Sequence, residues 1–329
     1  MRIIASANQK GGCGKTTTAI NLSYFLAKKG EKVLLIDFDP QAHATMGLNI
    51  KPADLEMSMY DVIRPSQNGS VAMDDILIPI RENLDLAPSN ASLSAIEQEL
   101  TRLMGRESRL FQAVEALRRT YDYVIIDCPP SIGHLCFNAL RACEEVIIPI
   151  DLSLFSLRGV SKLQEIVMIL KERLGHDVKS RALITMYDNR TRYSRQVLEE
   201  VRSVFRENVF ETVIRYNIRL REAGDCGLPV GEYDKHAIGY KDYEDLAEEV
   251  MGSKGTRMDH AFDATGAGQN VPSQIVDDKD DTEALPVGEV TASIMEEHPP
   301  AMHKSGHDSV VESVGDEATD SVYVAKEDS

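Results

Sequence analysis

The sequence contains no tryptophan, and phenylalanine and tyrosine bring its aromatic content to only 6% of 329 residues. Its five cysteines (Cys13, Cys128, Cys136, Cys143 and Cys226) are odd in number and none stands in C-x-x-C spacing. That argues against a disulfide framework and against a zinc site, and leaves reduced, buried thiols. Nowhere do about eighteen apolar residues run together, as a membrane-spanning helix requires. Met1 to Lys10 also lacks the apolar run of a secretory signal, so a cytosolic protein is expected. Positive charge is scarce at one end. Residues 251–329 hold 5 Lys+Arg against 17 Asp+Glu, whereas residues 1–250 hold 31 against 36, so most of the net charge of −17 lies in the last quarter. With Phe262 and Tyr323 as its only aromatics and no hydrophobic period, that quarter cannot bury enough apolar surface to offset its ordering entropy. A disordered acidic tail over residues 252–329 is expected.

Residues 1–251 read differently. Short β-branched runs alternate with helical patterns, which predicts an α/β domain with a mostly parallel sheet and helices on both faces. Strands are expected at Ile3 to Ala7, Val33 to Asp37, Tyr123 to Asp127, Glu145 to Ile150, Ala182 to Met186 and Val209 to Ile214. Helices are expected near Thr16 to Lys29, Leu110 to Arg119, Leu157 to Leu174, Arg192 to Phe205 and Tyr240 to Met251.

Between the first strand and the first helix runs Gln9-Lys10-Gly11-Gly12-Cys13-Gly14-Lys15-Thr16-Thr17-Thr18. Glycines let the backbone bend so that successive N–H groups of Gly11, Gly12, Cys13, Gly14, Lys15, Thr16 and Thr17 face a phosphate, and the helix adds its positive end. In such a loop Lys15 neutralises β/γ-phosphate charge and the Thr16 hydroxyl ligates Mg²⁺. The usual G-x-x-x-x-G-K-[ST] pattern is not met, because Gln9 replaces its first glycine and Lys10 lies inside the loop. Two apolar strands end in carboxylates: Leu34-Leu35-Ile36-Asp37-Phe38-Asp39-Pro40-Gln41 and Tyr123-Val124-Ile125-Ile126-Asp127-Cys128-Pro129-Pro130. A carboxylate at the end of a buried strand needs a cation or a donor.

The loop K-G-G-x-G-K-T-T, the D-x-D-P-Q segment and the acidic strand together resemble the ParA/MinD family of deviant Walker A P-loop ATPases, over residues 1–251. The resemblance implies a P-loop NTPase-like fold and an ATPase that uses ATP and Mg²⁺. It implies that Lys10 reaches across a homodimer formed with ATP to the partner's nucleotide, that Asp39 orients the attacking water, and that Asp37 and Asp127 support the Mg²⁺ shell beside Thr16. Thr185 to Asp188 and Tyr216 to Ala223 resemble adenine-side loops, with Asn217 as a nucleotide contact. Arg215-Tyr216 stands there in place of the family's Pro-Arg.

Between Leu157 and Arg221 the chain carries 14 Lys+Arg against 8 Asp+Glu. A basic face supplies sequence-independent affinity for DNA through counterion release, although a solvated helical face reads equally well from composition alone. ParA-like resemblance favours non-specific DNA binding, with Arg192, Arg195, Arg219 and Arg221 as candidates. Because the loop strand opens the chain, the short ParA/Soj type is expected, partitioning chromosomes or plasmids at the nucleoid with a ParB-like partner. A membrane role is not expected, since the tail is acidic. Two alternatives remain: a positioning ATPase for a protein cargo with its adaptor, and an iron-protein-type reductase using Cys128, Cys136 and Cys143.

Overall fold

The structure, a computed structural model, describes residues 1–65, 71–102, 105–152 and 156–252. The tail expected over 252–329 lies, beyond Gly252, outside these residues. Strand β1 (Arg2–Ser6) leads into α1 (Lys15–Lys28) and β2 (Val33–Asp37), followed by short helices α2 (His43–Met46) and α3 (Met59–Ile63). A hairpin of β3 (Ile78–Arg81) and β4 (Leu84–Ala87) comes next, then α4 (Ile96–Glu99), α5 (Arg109–Glu115) and β5 (Tyr123–Asp127). The chain continues through α6 (His134–Ala142), β6 (Glu145–Asp151), α7 (Ser156–Leu174), β7 (Lys179–Thr185) and α8 (Arg192–Phe205). Helices α9 (Ile218–Asp225), α10 (Val230–Tyr233) and α11 (Ile238–Gly252) complete it.

The sheet has seven strands in the order β3-β4-β2-β5-β1-β6-β7, parallel throughout except for the antiparallel β3–β4 pair. Its central strands are buried along their whole length, as near-continuous Val/Ile/Leu runs require. Alternation assigns the two faces. Ile4, Val33, Leu35, Tyr123, Ile125, Ile147 and Leu183 join α1 and α11 in one core. Their neighbours Ile3, Leu34, Ile36, Val124, Ile126 and Ile148 are just as buried and face the opposite layer. The α1–α11 seam is closed by Phe25, whose ring meets that of Tyr240 edge-on at 4.9 Å, and by a 3.2 Å hydrogen bond between the hydroxyls of Thr18 and Tyr243.

One expectation needs correction. Val209 to Ile214 is not a strand. It meets β7 at an isolated bridge between Ala182 and Val209 and through the amides of Phe210 and Ile214, which donate to the Ala182 and Ile184 carbonyls at 2.9 and 2.8 Å. Between those contacts the amides of Glu211 and Thr212 donate to the Glu249 carboxylate of α11 at 3.0 and 2.9 Å, so no continuous ladder forms. The β3–β4 hairpin was not expected from the sequence. Each strand is four residues long, Pro79 sits in the outer one, and the turn relies on Asn83 in the left-handed region at φ 60°. Among the described residues no helix is long and apolar enough to cross a membrane.

At the amino-terminal edge of the sheet, Glu145 is 3% exposed, accepts a hydrogen bond from Arg2 and faces Arg181 at 3.6 Å. Arg181 also donates to Glu249 at 2.9 Å and lies 3.5 Å over the Phe210 ring. Arg2 in turn donates to the Val250 carbonyl at 2.6 Å. Removing one member of a buried ion pair strands the other charge. Glu145→Ala is therefore expected to cost about 3 kcal/mol, read as a lower urea midpoint with an unchanged slope. A midpoint equal to that of the parent would show that the network is not structural.

Candidate functional site

The loop after β1 folds as its glycines dictate. Gly12 (φ 75°) and Gly14 (φ 95°) occupy the left-handed region, and a Cβ added at Gly11 or Gly12 would meet nothing within 4 Å, so the space above the loop is open. Helix α1 starts at Lys15 with no side-chain cap and no acidic residue in its first turn, which leaves its positive end available to an anion. Two anchors fix the cradle: the Thr185 hydroxyl donates to the Cys13 carbonyl at 2.8 Å, and the Ser6 hydroxyl to the Lys15 carbonyl at 3.1 Å. Thr16 and Thr17 are half-buried at its floor.

The two lysines of the loop have different destinations. Lys15 is 6% exposed and its ammonium donates to the Lys10 carbonyl at 3.0 Å, inside the cradle. The Lys10 ammonium instead grips both oxygens of Asp151, at the end of β6, at 2.7 and 2.5 Å. Its amide donates to Asn8 Oδ1 at 3.1 Å, and Asn8 donates onward to the Pro149 carbonyl at 2.7 Å.

Behind the cradle lie three aspartates. Ser6, Asp127 and Asp37 stand at one level on the adjacent strands β1, β5 and β2. Asp37 is held by the Thr45 amide and hydroxyl, both at 2.7 Å, and by the Asp39 amide at 3.2 Å. Burial nonetheless pushes its carboxyl up to about 6, with those hydrogen bonds opposing the rise and the Asp39 charge adding to it. Asp127 is fully buried, and neither of its oxygens closes a hydrogen bond. Burial, then the Asp37 charge, drives its carboxyl well above the usual carboxylate range; the neighbouring Thr16 hydroxyl only moderates this. Asp39 is 5% exposed, and one of its oxygens accepts from the Gln41 amide at 2.9 Å. Two buried carboxylates side by side, one of them without a donor, form a place for a cation. Among the described residues no group of three His, Cys, Asp or Glu makes an all-protein metal cage. A divalent cation here would rest on the Thr16 hydroxyl and on oxygens brought by a phosphate ligand, as Mg²⁺ commonly does.

The structure thus brings Lys15, Thr16, Asp37, Asp39 and Asp127 to one edge of the sheet and pairs the Lys10 ammonium with Asp151. Asn217 spends its side-chain oxygen capping α9, accepting from the Arg219 amide at 2.9 Å. Arg192 and Arg195 lie exposed on α8, and Arg219 and Arg221 on α9. Cys128, Cys136 and Cys143 are buried, burial pushes all three thiols up, Cys136 to about 12, and among the described residues they form no group of three metal ligands. Sequence reasoning missed the supporting residues Thr45, Ser89 and Asp151, and Thr185, which the resemblance assigned to an adenine-side loop, instead donates to the loop carbonyl of Cys13. Thr45 carries no motif, yet it both holds Asp37 and accepts from the Ser89 amide at 3.0 Å.

A protein-family model described as an AAA domain matches residues 1–180. The sporulation initiation inhibitor protein Soj of Bacillus subtilis is 45% identical over 250 residues, covering 76% of this chain and 98% of Soj. The chromosome partitioning protein ParA of Myxococcus xanthus is 40% identical over 255 residues, covering 76% of this chain and 88% of that protein. Among solved structures, cobyrinic acid a,c-diamide synthase from Mycobacterium smegmatis with bound ATP analogue and magnesium superposes with a TM-score of 0.67 at 32% identity, covering 78% of this chain and 97% of that one.

The carboxylate pair has a measurable signature without any ligand. A raised folded pKa means that the folded chain binds more protons than the unfolded chain above the ordinary carboxylate range, so stability falls as pH rises through the folded value. Asp127→Asn removes that penalty. It is expected to raise the melting temperature of the ligand-free protein at pH 8, with the gain shrinking as pH is lowered to 5. A gain of equal size at both pH values would contradict the proposed ionisation.

Proposed function

The chain belongs to the ParA/Soj family of partitioning ATPases, and from that premise we propose that it is an ATP-driven monomer–dimer switch that moves DNA. In this reading it binds ATP with Mg²⁺, hydrolyses it as a dimer, and in the dimeric state holds duplex DNA without sequence preference. Its place is the cytoplasm, at the nucleoid, and a ParB-like partner or cargo adaptor stimulates turnover.

The observation that carries the nucleotide reading is the orphaned Asp127 carboxylate beside Thr16, beneath an open phosphate cradle. Mg²⁺ bound with the nucleotide would satisfy that carboxylate and supply charge neutralisation at the phosphates. Backbone amides from Gly11 to Thr17 bind the phosphates, and Lys15 adds the intrachain cation. Asp39 orients the attacking water; the Gln41 amide on one of its oxygens fixes the carboxylate's plane.

The separate partner of Lys10 supports the dimer reading. A second loop cation held at the end of β6, apart from the carbonyl taken by Lys15, would serve a second nucleotide and stabilise transition-state charge once two chains meet. Lys15→Ala is expected to lose ATP binding at least tenfold. Lys10→Ala is expected to bind ATP normally and to fail in ATP-dependent dimerisation and turnover. Light scattering and phosphate release together separate the two, and normal dimers with normal turnover in Lys10→Ala would overturn the cross-subunit role.

Exposed arginines on α8 and α9 support the DNA reading. Among the described residues, Arg192, Arg195 and Arg221 reach no carboxylate. Phosphate contacts of this kind bind all sequences alike and weaken steeply with salt. Arg219→Ala is expected to weaken duplex binding and to reduce the salt slope by about one, while ATP-dependent dimerisation persists. Identical titrations of parent and variant at several salt concentrations would remove Arg219 from the interface.

A further inference from the structure

Arg219 differs from the other arginines assigned to the DNA face. Its guanidinium donates to Glu222 Oε2 at 2.7 Å, one turn along α9, and lies 3.5 Å from Asp234 Oδ2 just beyond α10. The Tyr233 hydroxyl donates to the same Glu222 oxygen at 3.1 Å, steadying the carboxylate that holds the arginine. Arg219 keeps half of its side chain exposed, so the pairing screens a surface cation rather than filling a core position.

Helix α10, which carries Tyr233 and is followed by Asp234, is tied to α1. Val230, the first residue of α10, donates its amide to Asn21 Oδ1 at 2.8 Å, and Asn21 donates its side-chain amide to the Thr17 carbonyl at 2.8 Å. Asn21 is 4% exposed, so both bonds are shielded from water. Gly231 is pressed against α1: a Cβ there would lie 2.1 Å from the Tyr24 ring. Thr17 belongs to the candidate phosphate cradle and Tyr233 ends α10, so a short chain of hydrogen bonds and packing, through the side chains of Asn21 and Tyr233, links the cradle to the partner of Arg219.

We propose that Glu222 and Asp234 form an acidic clamp that competes with DNA phosphate for Arg219, and that α10 ties this clamp to the nucleotide-binding helix α1. The inference rests on the duplex-binding reading given above. Exposed ion pairs are weak and screened by salt, so a dense row of phosphates can displace the clamp once the first turn of α1 closes on a nucleotide and shifts α10. The clamp suppresses duplex binding by the nucleotide-free and ADP-bound chain, where occasional capture of DNA would serve no purpose.

The test uses the full chain with Mg²⁺ and either a non-hydrolysable ATP analogue or ADP, titrated against a fluorescent random-sequence duplex at about 50 mM salt. Glu222→Gln and Asp234→Asn keep the local hydrogen-bond acceptors and remove the charge. Each is expected to tighten duplex binding by about two- to fivefold, with the larger gain in ADP, so that the ratio of ATP-state to ADP-state affinity narrows. The gain from Glu222→Gln is expected to vanish in an Arg219→Ala background, which distinguishes a clamp from a general loss of negative charge. An equal gain in that background, or isotherms of both variants that superimpose on a DNA-binding parent, overturns the clamp alone. A gain identical in ATP and ADP overturns the tie to α1. If neither the parent nor either variant binds duplex, the DNA reading falls and the clamp falls with it.

Discussion

Asp37 and Asp127 lie side by side at the carboxyl ends of two fully buried strands, and the arrangement of the whole nucleotide edge follows from keeping them there. Taking a carboxylate out of water without a partner costs several kcal/mol, and a second one beside it makes ionisation harder still. The fold answers this unequally. Asp37 receives three donors from Thr45 and Asp39, whereas Asp127 receives none that closes. The chain therefore holds at Asp127 a buried carboxylate of high local free energy, which a bound cation would relieve. Such strain in polar satisfaction concentrates where function resides, because elsewhere it would only reduce stability.

The two lysines of the loop have different partners. Both are ammonium groups on the same short loop, five residues apart, yet Lys15 donates to a loop carbonyl and Lys10 pairs with Asp151. Gly12 and Gly14, both in the left-handed region, lie between them and let the loop turn tightly there.

Much of this was legible in the sequence, and the parts that were not share a cause. The Val/Ile/Leu runs of β2 and β5, the glycine loop and the carboxylates that follow are local patterns, and each stands where the pattern put it. Helix α8 was delimited correctly because its buried Val197, Val201 and Phe205 recur with helical spacing. Val209 to Ile214 failed as a strand because Glu249, some forty residues later, takes its amides, and β-propensity carries no information about such a distant competitor. Thr45, Ser89 and Asp151 were invisible for the same reason. Each is a common polar residue whose role comes from what the fold sets beside it. The pairing of Arg219 with Glu222 could have been read from its i,i+3 spacing, but its second carboxylate on Asp234 could not.

The stitching of the first strand to the last helix also orders events during synthesis. Arg2 is bonded to the carbonyl of Val250 and to Glu145, and the core around Ile4 and Phe25 is completed by Tyr243, Leu246 and Val250. Strand β1 can find these partners only after the 248 residues that separate Arg2 from Val250 have been translated, so contacts of very long sequence separation close last and slowly. Until α11 arrives, the phosphate-binding helix has one flank bare. The core on that side of the sheet therefore closes only once the segment carrying Tyr243, Leu246 and Val250 has been made.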